Sequence, residues 1–140
     1  MKKMWTISKE FHFSASHRLN GLPGDHQCAR LHGHNYILKI ELSGHCLDST
    51  GFVIDYGNLD FVKDWVDSVD HKHLNNEFTF NPTSELICKY LWKLFDDALR
   101  RNGYHQMVEE MTISLSETPK TWASYFSQRN ISGYRVTVND

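Results

Sequence analysis

The hydrophobic pattern of this chain changes its period twice, which sets narrow limits on the fold. Apolar and polar residues alternate over residues 5–17 and again over residues 32–42, and Gly44 ends the second run. Alternation is typical of a β-strand that buries one face. Residues 111–117 alternate again, and residues 121–126 are a further, short strand candidate. Two strands are therefore predicted early in the chain and two late.

Two helices are predicted between these strands. Apolar residues recur at three- and four-residue steps over residues 59–69, and a broader apolar stripe covers residues 86–99. Both patterns are typical of a helix with one buried face. We expect Asn81 to cap the second helix, Pro82 to occupy its first position and Gly103 to follow its end.

The order β-β-α-α-β-β separates strands from helices, which indicates an α+β fold. We predict an antiparallel sheet with two helices packed on one face. The other face must then meet polar residues, solvent or a partner subunit. Residues 1–140 fit a single domain, and residues 134–138 form either a fifth strand or a tail.

Composition excludes several classes of protein. The 15 Lys and Arg nearly balance the 17 Asp and Glu, which disfavours a nucleic-acid partner. No apolar run approaches the roughly 18 residues of a membrane span, and no secretory signal is recognisable at the start. Because Cys28, Cys46 and Cys88 are few and far apart, we expect no disulfide framework and a cytoplasmic location.

Nine histidines are many for this length, and three of them occupy corresponding positions on the predicted strands. His17 ends the first strand and His32 begins the second, so a hairpin brings them side by side. His34 lies on the same face as His32, roughly 7 Å away. Three imidazoles leave one tetrahedral position open, as in a catalytic zinc site. Alternatively, His32 and His34 are ordinary strand residues.

Cys28 and the pair Asp70-His71 are candidates for acid–base chemistry. The Cys28 thiol, just before the histidines, is a base or nucleophile, a fourth zinc ligand, or a small buried apolar residue. Asp70 can orient the His71 ring, a common arrangement for general acid–base chemistry. The alternative is a solvated helix end, and His73 fits the same argument as His71.

Two glutamates complete the candidate site. Glu117 continues the inward parity of the strand over residues 111–117, so it needs a hydrogen-bond donor. An arginine, a backbone end or a ligand with adjacent N–H groups would each serve. Glu85 opens the second helix, where its negative charge is favourable without any ligand.

Several short motifs resemble those of the 6-pyruvoyltetrahydropterin and 6-carboxytetrahydropterin synthase family, in the family's order. They lie at residues 13–19, 28–36, 55–56, 70–71, 74–75, 82–85 and 116–118. Three residues separate Cys28 from His32-Gly33-His34. This short spacing resembles the queuosine-pathway 6-carboxytetrahydropterin synthases more than the animal 6-pyruvoyl enzymes.

The resemblance implies the tunnelling fold, in which the sheets of neighbouring subunits join edge to edge into a barrel. It implies a homo-oligomer, a hexamer of two trimers, with active sites between subunits. It also implies a zinc ion on His17, His32 and His34. Residues 127–140 extend beyond the usual end of the family.

The implied reaction converts 7,8-dihydroneopterin triphosphate into 6-carboxy-5,6,7,8-tetrahydropterin, acetaldehyde and triphosphate. By resemblance, the Cys28 thiolate removes a proton, and His71, oriented by Asp70 in a neighbouring subunit, returns one. Glu117 binds the N–H groups of the pterin, and Glu85 helps to anchor the same ring.

Three alternatives remain open from the sequence. The same fold can host a 6-pyruvoyltetrahydropterin synthase. A non-catalytic zinc module would use Cys28 as its fourth ligand. A zinc hydrolase would use Glu117 or His71 to activate metal-bound water.

Overall fold

Five strands and two helices make up the fold in the computed structural model, which describes residues 3–132. They are β1 (Trp5–His17), β2 (His32–Gly44), α1 (Asp60–Val69), β3 (Lys72–His73), α2 (Ser84–Arg101), β4 (Glu110–Thr118) and β5 (Thr121–Gln128). The α+β prediction is confirmed. The strand or tail predicted at residues 134–138 lies outside the described residues. Neither helix of the described range has the length and the hydropathy that crossing a lipid bilayer requires.

The sheet has the strand order β3-β1-β2-β4-β5. Its three long pairings are antiparallel, as predicted. The prediction of a purely antiparallel sheet is wrong at β3, which pairs parallel to β1 at Ala15 and Ser16. The chain crosses the helical face in α1 before it reaches the β1 edge, so β3 runs in the direction of β1. A strand of two residues is too short to show a period in the sequence.

Both helices pack on one face of the sheet and enclose the core there. The largest fully buried side chains come from β2, α2 and β4 and from the connections near them. They are Tyr36, Phe95, Leu38, Ile40, Leu42, Leu59, Leu74, Ile87, Leu91, Leu99, Met111 and Ile113. The opposite face carries mainly polar side chains, together with exposed Trp122 and Phe126 on β5. This arrangement confirms the prediction of two helices on one face.

The second helix begins later than predicted. Its N-cap is Thr83, whose hydroxyl accepts a hydrogen bond from the Leu86 N–H at 3.2 Å. The predicted cap Asn81 and first residue Pro82 precede the helix, because the Asn81 amide binds the backbone of Asn20 instead. Gly103 follows the helix at φ +81°, as predicted for a C-terminal glycine.

Candidate metal and active site

Three histidines meet where β1 ends and β2 begins. His17 and His32 are direct partners in the antiparallel ladder, and His34 follows two residues later. Their nearest ligand atoms all lie within 4.8 Å of one another. His17 is fully buried, and the other two are partly buried. The structure therefore brings together the three residues that strand parity selected.

Backbone carbonyls orient two of these rings. His17 Nδ1 lies 2.9 Å from the Pro82 oxygen, and His32 Nδ1 lies 2.7 Å from the Arg30 oxygen. A carbonyl only accepts, so each Nδ1 carries the proton and each Nε2 keeps its lone pair. Hydrogen bonds of this kind fix the tautomer of metal-ligating histidines.

The free nitrogens of the cluster fit a metal ion. Within the described residues, His17 Nε2 and His34 Nε2 are buried and have no hydrogen-bond partner. Burying a polar nitrogen without a partner costs free energy, which a bound cation would recover. Burial also lowers the pKa of His17 and of His34, so both favour the neutral form that binds metals. Three neutral imidazoles are a donor set that suits zinc.

Glu117 lies beside this cluster at the end of β4. Its Oε2 is 3.5 Å from His34 Nε2, and its Oε1 accepts a hydrogen bond of 2.6 Å from the Ser84 hydroxyl. The donor is thus a serine at the start of α2, and none of the three donors anticipated from the sequence. Ser84, Glu85 and Glu117 line a small cavity of about 160 Å³ with Trp122. Glu85 therefore lies near Glu117.

Asp70 and His71 are paired, as their adjacency suggested. Asp70 Oδ1 lies 3.0 Å from His71 Nδ1 and accepts the Ser14 N–H at 2.9 Å. The Ser14 hydrogen bond lowers the pKa of Asp70. His71 adopts φ +61°, where the chain turns from α1 into β3. Its exposed ring and His34 line one open cavity of about 370 Å³. His73 instead pairs with the Ser16 hydroxyl at 3.1 Å.

Cys28 lies in a short helical turn over Gln27–Ala29 and is half-buried. Its N–H donates to His26 Nδ1 at 3.0 Å, and its carbonyl accepts the Leu19 N–H at 2.9 Å. Among the described residues, the group able to share a metal ion consists of the three histidines alone. The Cys28 thiol is outside that group, which weighs against a fourth-ligand role.

The family model described as 6-pyruvoyl tetrahydropterin synthase matches residues 6–128. This chain belongs to that family. The 6-carboxy-5,6,7,8-tetrahydropterin synthase of a Synechocystis species is 32% identical over 133 residues, which cover 90% of this chain and 96% of that protein. The protein of the same name from Haemophilus influenzae is 28% identical over 148 residues, covering 87% and 99%. These relatives confirm the predicted closeness to the 6-carboxy branch of the family.

A solved structure confirms the tunnelling fold of this family member. Caenorhabditis elegans 6-pyruvoyl tetrahydropterin synthase matches with a TM-score of 0.71 at 27% identity, covering 89% of this chain and 96% of the other. An uncharacterized Wolinella succinogenes protein matches with a TM-score of 0.72 at 22% identity, covering 89% and 98%. The second similarity concerns the fold alone.

Several residues at the site escaped the sequence analysis. Ser84 and Asn75 lie in motifs that carried the family resemblance, but their side-chain partners are distant in sequence. The sequence predicts Asn81 only as a helix cap, and it places Tyr36 only within the alternating segment 32–42. The Tyr36 hydroxyl lies 3.4 Å from His17 Nδ1, and burial raises the pKa of this tyrosine. A pattern of residue types does not reveal such pairings.

Proposed function

We propose that this protein is a zinc-dependent lyase that converts 7,8-dihydroneopterin triphosphate and water into 6-carboxy-5,6,7,8-tetrahydropterin, acetaldehyde and triphosphate. The observation that carries the proposal is the convergence of three imidazoles with buried free nitrogens beside the Glu117 carboxylate. Curated relatives named 6-carboxy-5,6,7,8-tetrahydropterin synthase support the choice of reaction. On this proposal the product enters queuosine synthesis.

His17, His32 and His34 would hold the zinc ion through their Nε2 atoms. When bound, zinc supplies a Lewis acid that makes substrate hydroxyl and neighbouring C–H groups more acidic. The carbonyls of Pro82 and Arg30 keep two of the rings in the tautomer that this role needs. Three protein ligands leave a position for the substrate.

Proton transfer is assigned to Cys28 and to the pair Asp70-His71. The Cys28 thiolate would remove a proton from the substrate side chain. His71, with its ring oriented by Asp70, would return a proton as general acid. The exposed ring of His71 suits a site completed by a neighbouring subunit, because it is free to meet groups from outside its own chain.

Glu117 would recognise the pterin ring. An ionised carboxylate has about four lone-pair positions, so it can accept the Ser84 hydroxyl and still accept paired N–H groups from a ligand. Its charge-assisted hydrogen bonds would fix the ring beside the metal. Glu85, in the same small cavity, would contribute to the anchor.

We also propose that residues 1–140 form one domain that assembles into a hexamer of two trimers. β3 covers only Ala15 and Ser16 of the outer β1 edge, and β5 is the other edge of the described sheet. Long free edges favour pairing with another chain. The exposed face with Trp122 and Phe126 would then line the barrel. The few, widely spaced cysteines support a cytoplasmic location.

Incubation of the purified, zinc-loaded protein with 7,8-dihydroneopterin triphosphate, followed by mass spectrometry, tests the proposed reaction. We expect a 6-carboxytetrahydropterin product together with acetaldehyde. Unchanged substrate would contradict the lyase proposal.

A 6-pyruvoyltetrahydropterin synthase is the second candidate. The description of the matching family model and the similarity to the Caenorhabditis elegans structure favour it. The same experiment separates the two reactions, because this enzyme would release triphosphate and no acetaldehyde. A 6-pyruvoyl product would replace our first assignment.

A further inference from the structure

Two asparagine side chains hold the chain immediately after the first metal-ligand candidate. The Arg18 N–H donates to Asn75 Oδ1 at 2.8 Å, and Asn75 Nδ2 donates back to the Arg18 carbonyl at 2.8 Å. Asn81 binds both backbone groups of Asn20 in the same way, at 2.8 and 3.1 Å. The two amides thus replace the hydrogen bonds that a neighbouring strand would make.

A hydrogen bond from His17 lies next to these contacts. Its Nδ1 binds the carbonyl of Pro82, the residue after Asn81. Residues 17, 18 and 20 are therefore all bound by the segment 75–82, which we call the asparagine strap.

The opposite side of the held segment positions Cys28. Leu19 lies between the two bound residues, and its N–H donates to the Cys28 carbonyl at 2.9 Å. Residues 18–20 thus have the strap amides on one side and the Cys28 turn on the other. The loop from 21 to 27 is exposed throughout, and this contact links the Cys28 turn to the segment that follows β1.

We infer that Asn75 and Asn81 are positioning residues that fix Cys28 relative to the three histidines. The inference rests on the proposed function in taking Cys28 as the group that moves a proton. A displacement of about 1 Å between reacting groups can cost about a hundredfold in rate, so a thiol at the end of an exposed loop needs such a constraint. The strap supplies it through four side-chain hydrogen bonds.

The test compares Asn75→Ala and Asn81→Ala with Asn76→Ala, a neighbouring exposed asparagine, all in a Cys46→Ser background. The first readout is the rate of Cys28 alkylation by iodoacetamide across pH, with the modified peptide identified by mass spectrometry. The second is kcat and KM of the zinc-loaded enzyme. Zinc content and circular dichroism establish that each variant is folded and loaded.

We expect Cys28 alkylation to accelerate about tenfold in both strap variants, because the half-buried thiol becomes accessible. We expect kcat to fall about tenfold while KM changes less than about twofold, because the proton-transferring group and not the binding site is displaced. Asn76→Ala should match the parent in both readouts.

Unchanged alkylation and unchanged kcat in the two strap variants would overturn the inference. Absence of turnover in the parent would instead refute the proposed function. The alkylation rates would still test whether Asn75 and Asn81 hold Cys28 in place. Asn75→Asp provides a second test, because it keeps the acceptor for the Arg18 N–H and loses the donor to the Arg18 carbonyl. It should behave like Asn75→Ala, and parent-like behaviour would contradict two-point binding.

Discussion

Two buried polar clusters occupy opposite ends of the same sheet, and they differ in how their side chains are paired. The histidine cluster consists of His17, His32 and His34. The arginine cluster consists of Arg129, Asp96 and His105, at the end where β4 begins and β5 finishes. Both sit at the edge of the hydrophobic core, where uncompensated polar atoms are costly.

In the arginine cluster, the guanidinium of Arg129 uses all three of its nitrogens. Nε donates to Asp96 Oδ1 at 2.6 Å, Nη1 donates to the carbonyls of His105 and Val108, and Nη2 lies 3.0 Å from His105 Nδ1. In the histidine cluster, by contrast, His17 Nε2 and His34 Nε2 are buried without a hydrogen-bond partner and lie close together. We call the arginine cluster closed, because its guanidinium finds its partners within the chain, and we call the histidine cluster open. A closed cluster stabilises the fold, whereas an open cluster is suited to a ligand from outside the chain.

Removing a ligand from the open cluster should have the largest effect on activity. His34→Ala should weaken zinc binding by at least about a hundredfold and abolish turnover, since even outer-shell changes cost about 10- to 100-fold in metal affinity. Unfolding of the metal-free protein should change by less than about 1 kcal/mol, because an unsatisfied nitrogen is lost. Zinc titration and denaturant unfolding measure both effects.

His45→Ala is the matched control for this variant. His45 is exposed at the far end of β2 and pairs with Glu109. It should bind zinc like the parent. Retention of tight zinc binding by His34→Ala would show that the open cluster is not the metal site.

Breaking the closed cluster should lower the stability of the fold and leave zinc binding unchanged. Arg129→Ala removes the 2.6 Å partner of the Asp96 carboxylate, which is only 8% exposed, and leaves it with the longer Arg100 contact, so it should lower the free energy of unfolding by about 3 kcal/mol. Zinc affinity of the folded protein should not change. Denaturant midpoints with and without zinc measure the two quantities.

Arg100→Ala tests whether burial is the cause. Arg100 contacts the same carboxylate at 3.4 Å but is more exposed, so its loss should cost at most about 1 kcal/mol. An equal decrease in the free energy of unfolding for Arg129→Ala and Arg100→Ala would show that burial of the pair is not the cause.

The Ser84 hydroxyl should affect recognition more than stability. Ser84→Ala frees Glu117 to rotate, and we expect KM for the pterin substrate to rise about threefold to tenfold with a smaller change in kcat. Ser114→Ala is the control, because it removes a similar hydroxyl bond to Ser124 elsewhere in the sheet. An unchanged KM in Ser84→Ala would argue against an orienting role.

The smallest effect concerns pH. Burial, with the charges of Arg100 and Arg129, lowers the pKa of His105 below its usual 6.5. As pH falls below 6.5, the unfolded chain takes up a proton that the folded chain resists, so the free energy of unfolding decreases. His105→Asn should reduce this dependence between pH 7.5 and 5.5, measured by denaturant unfolding in metal-free protein. If the free energy of unfolding of His105→Asn depends on pH as strongly as that of the parent, His105 is not the titrating group.

Strand alternation located the open cluster because its three histidines keep the parity of core residues along β1 and β2. The same reasoning could not find the closed cluster. His105 lies in the turn after α2 and is fully buried, with its Nδ1 3.0 Å from the Arg129 guanidinium, which comes from a distant position in the chain. Long-range polar pairs leave no period in a sequence.

Competition for side chains explains the remaining differences. Asparagine is a common N-cap residue, but the Asn81 amide binds the Asn20 backbone. Thr83 therefore caps the helix instead. Glu117 has the parity of a buried residue and finds its donor in Ser84, across the sheet–helix boundary. In both cases the local sequence indicates that the side chain forms a hydrogen bond, but tertiary contacts determine its partner.

The most direct test of the central claim measures zinc content and product formation together in Cys28→Ala. Our account places the metal on the three histidines and proton transfer on the thiol. It therefore predicts zinc bound as in the parent protein, unchanged stability and loss of the pterin product. Loss of zinc and stability together would make Cys28 a ligand, and full activity would remove it from the mechanism; either result contradicts the account.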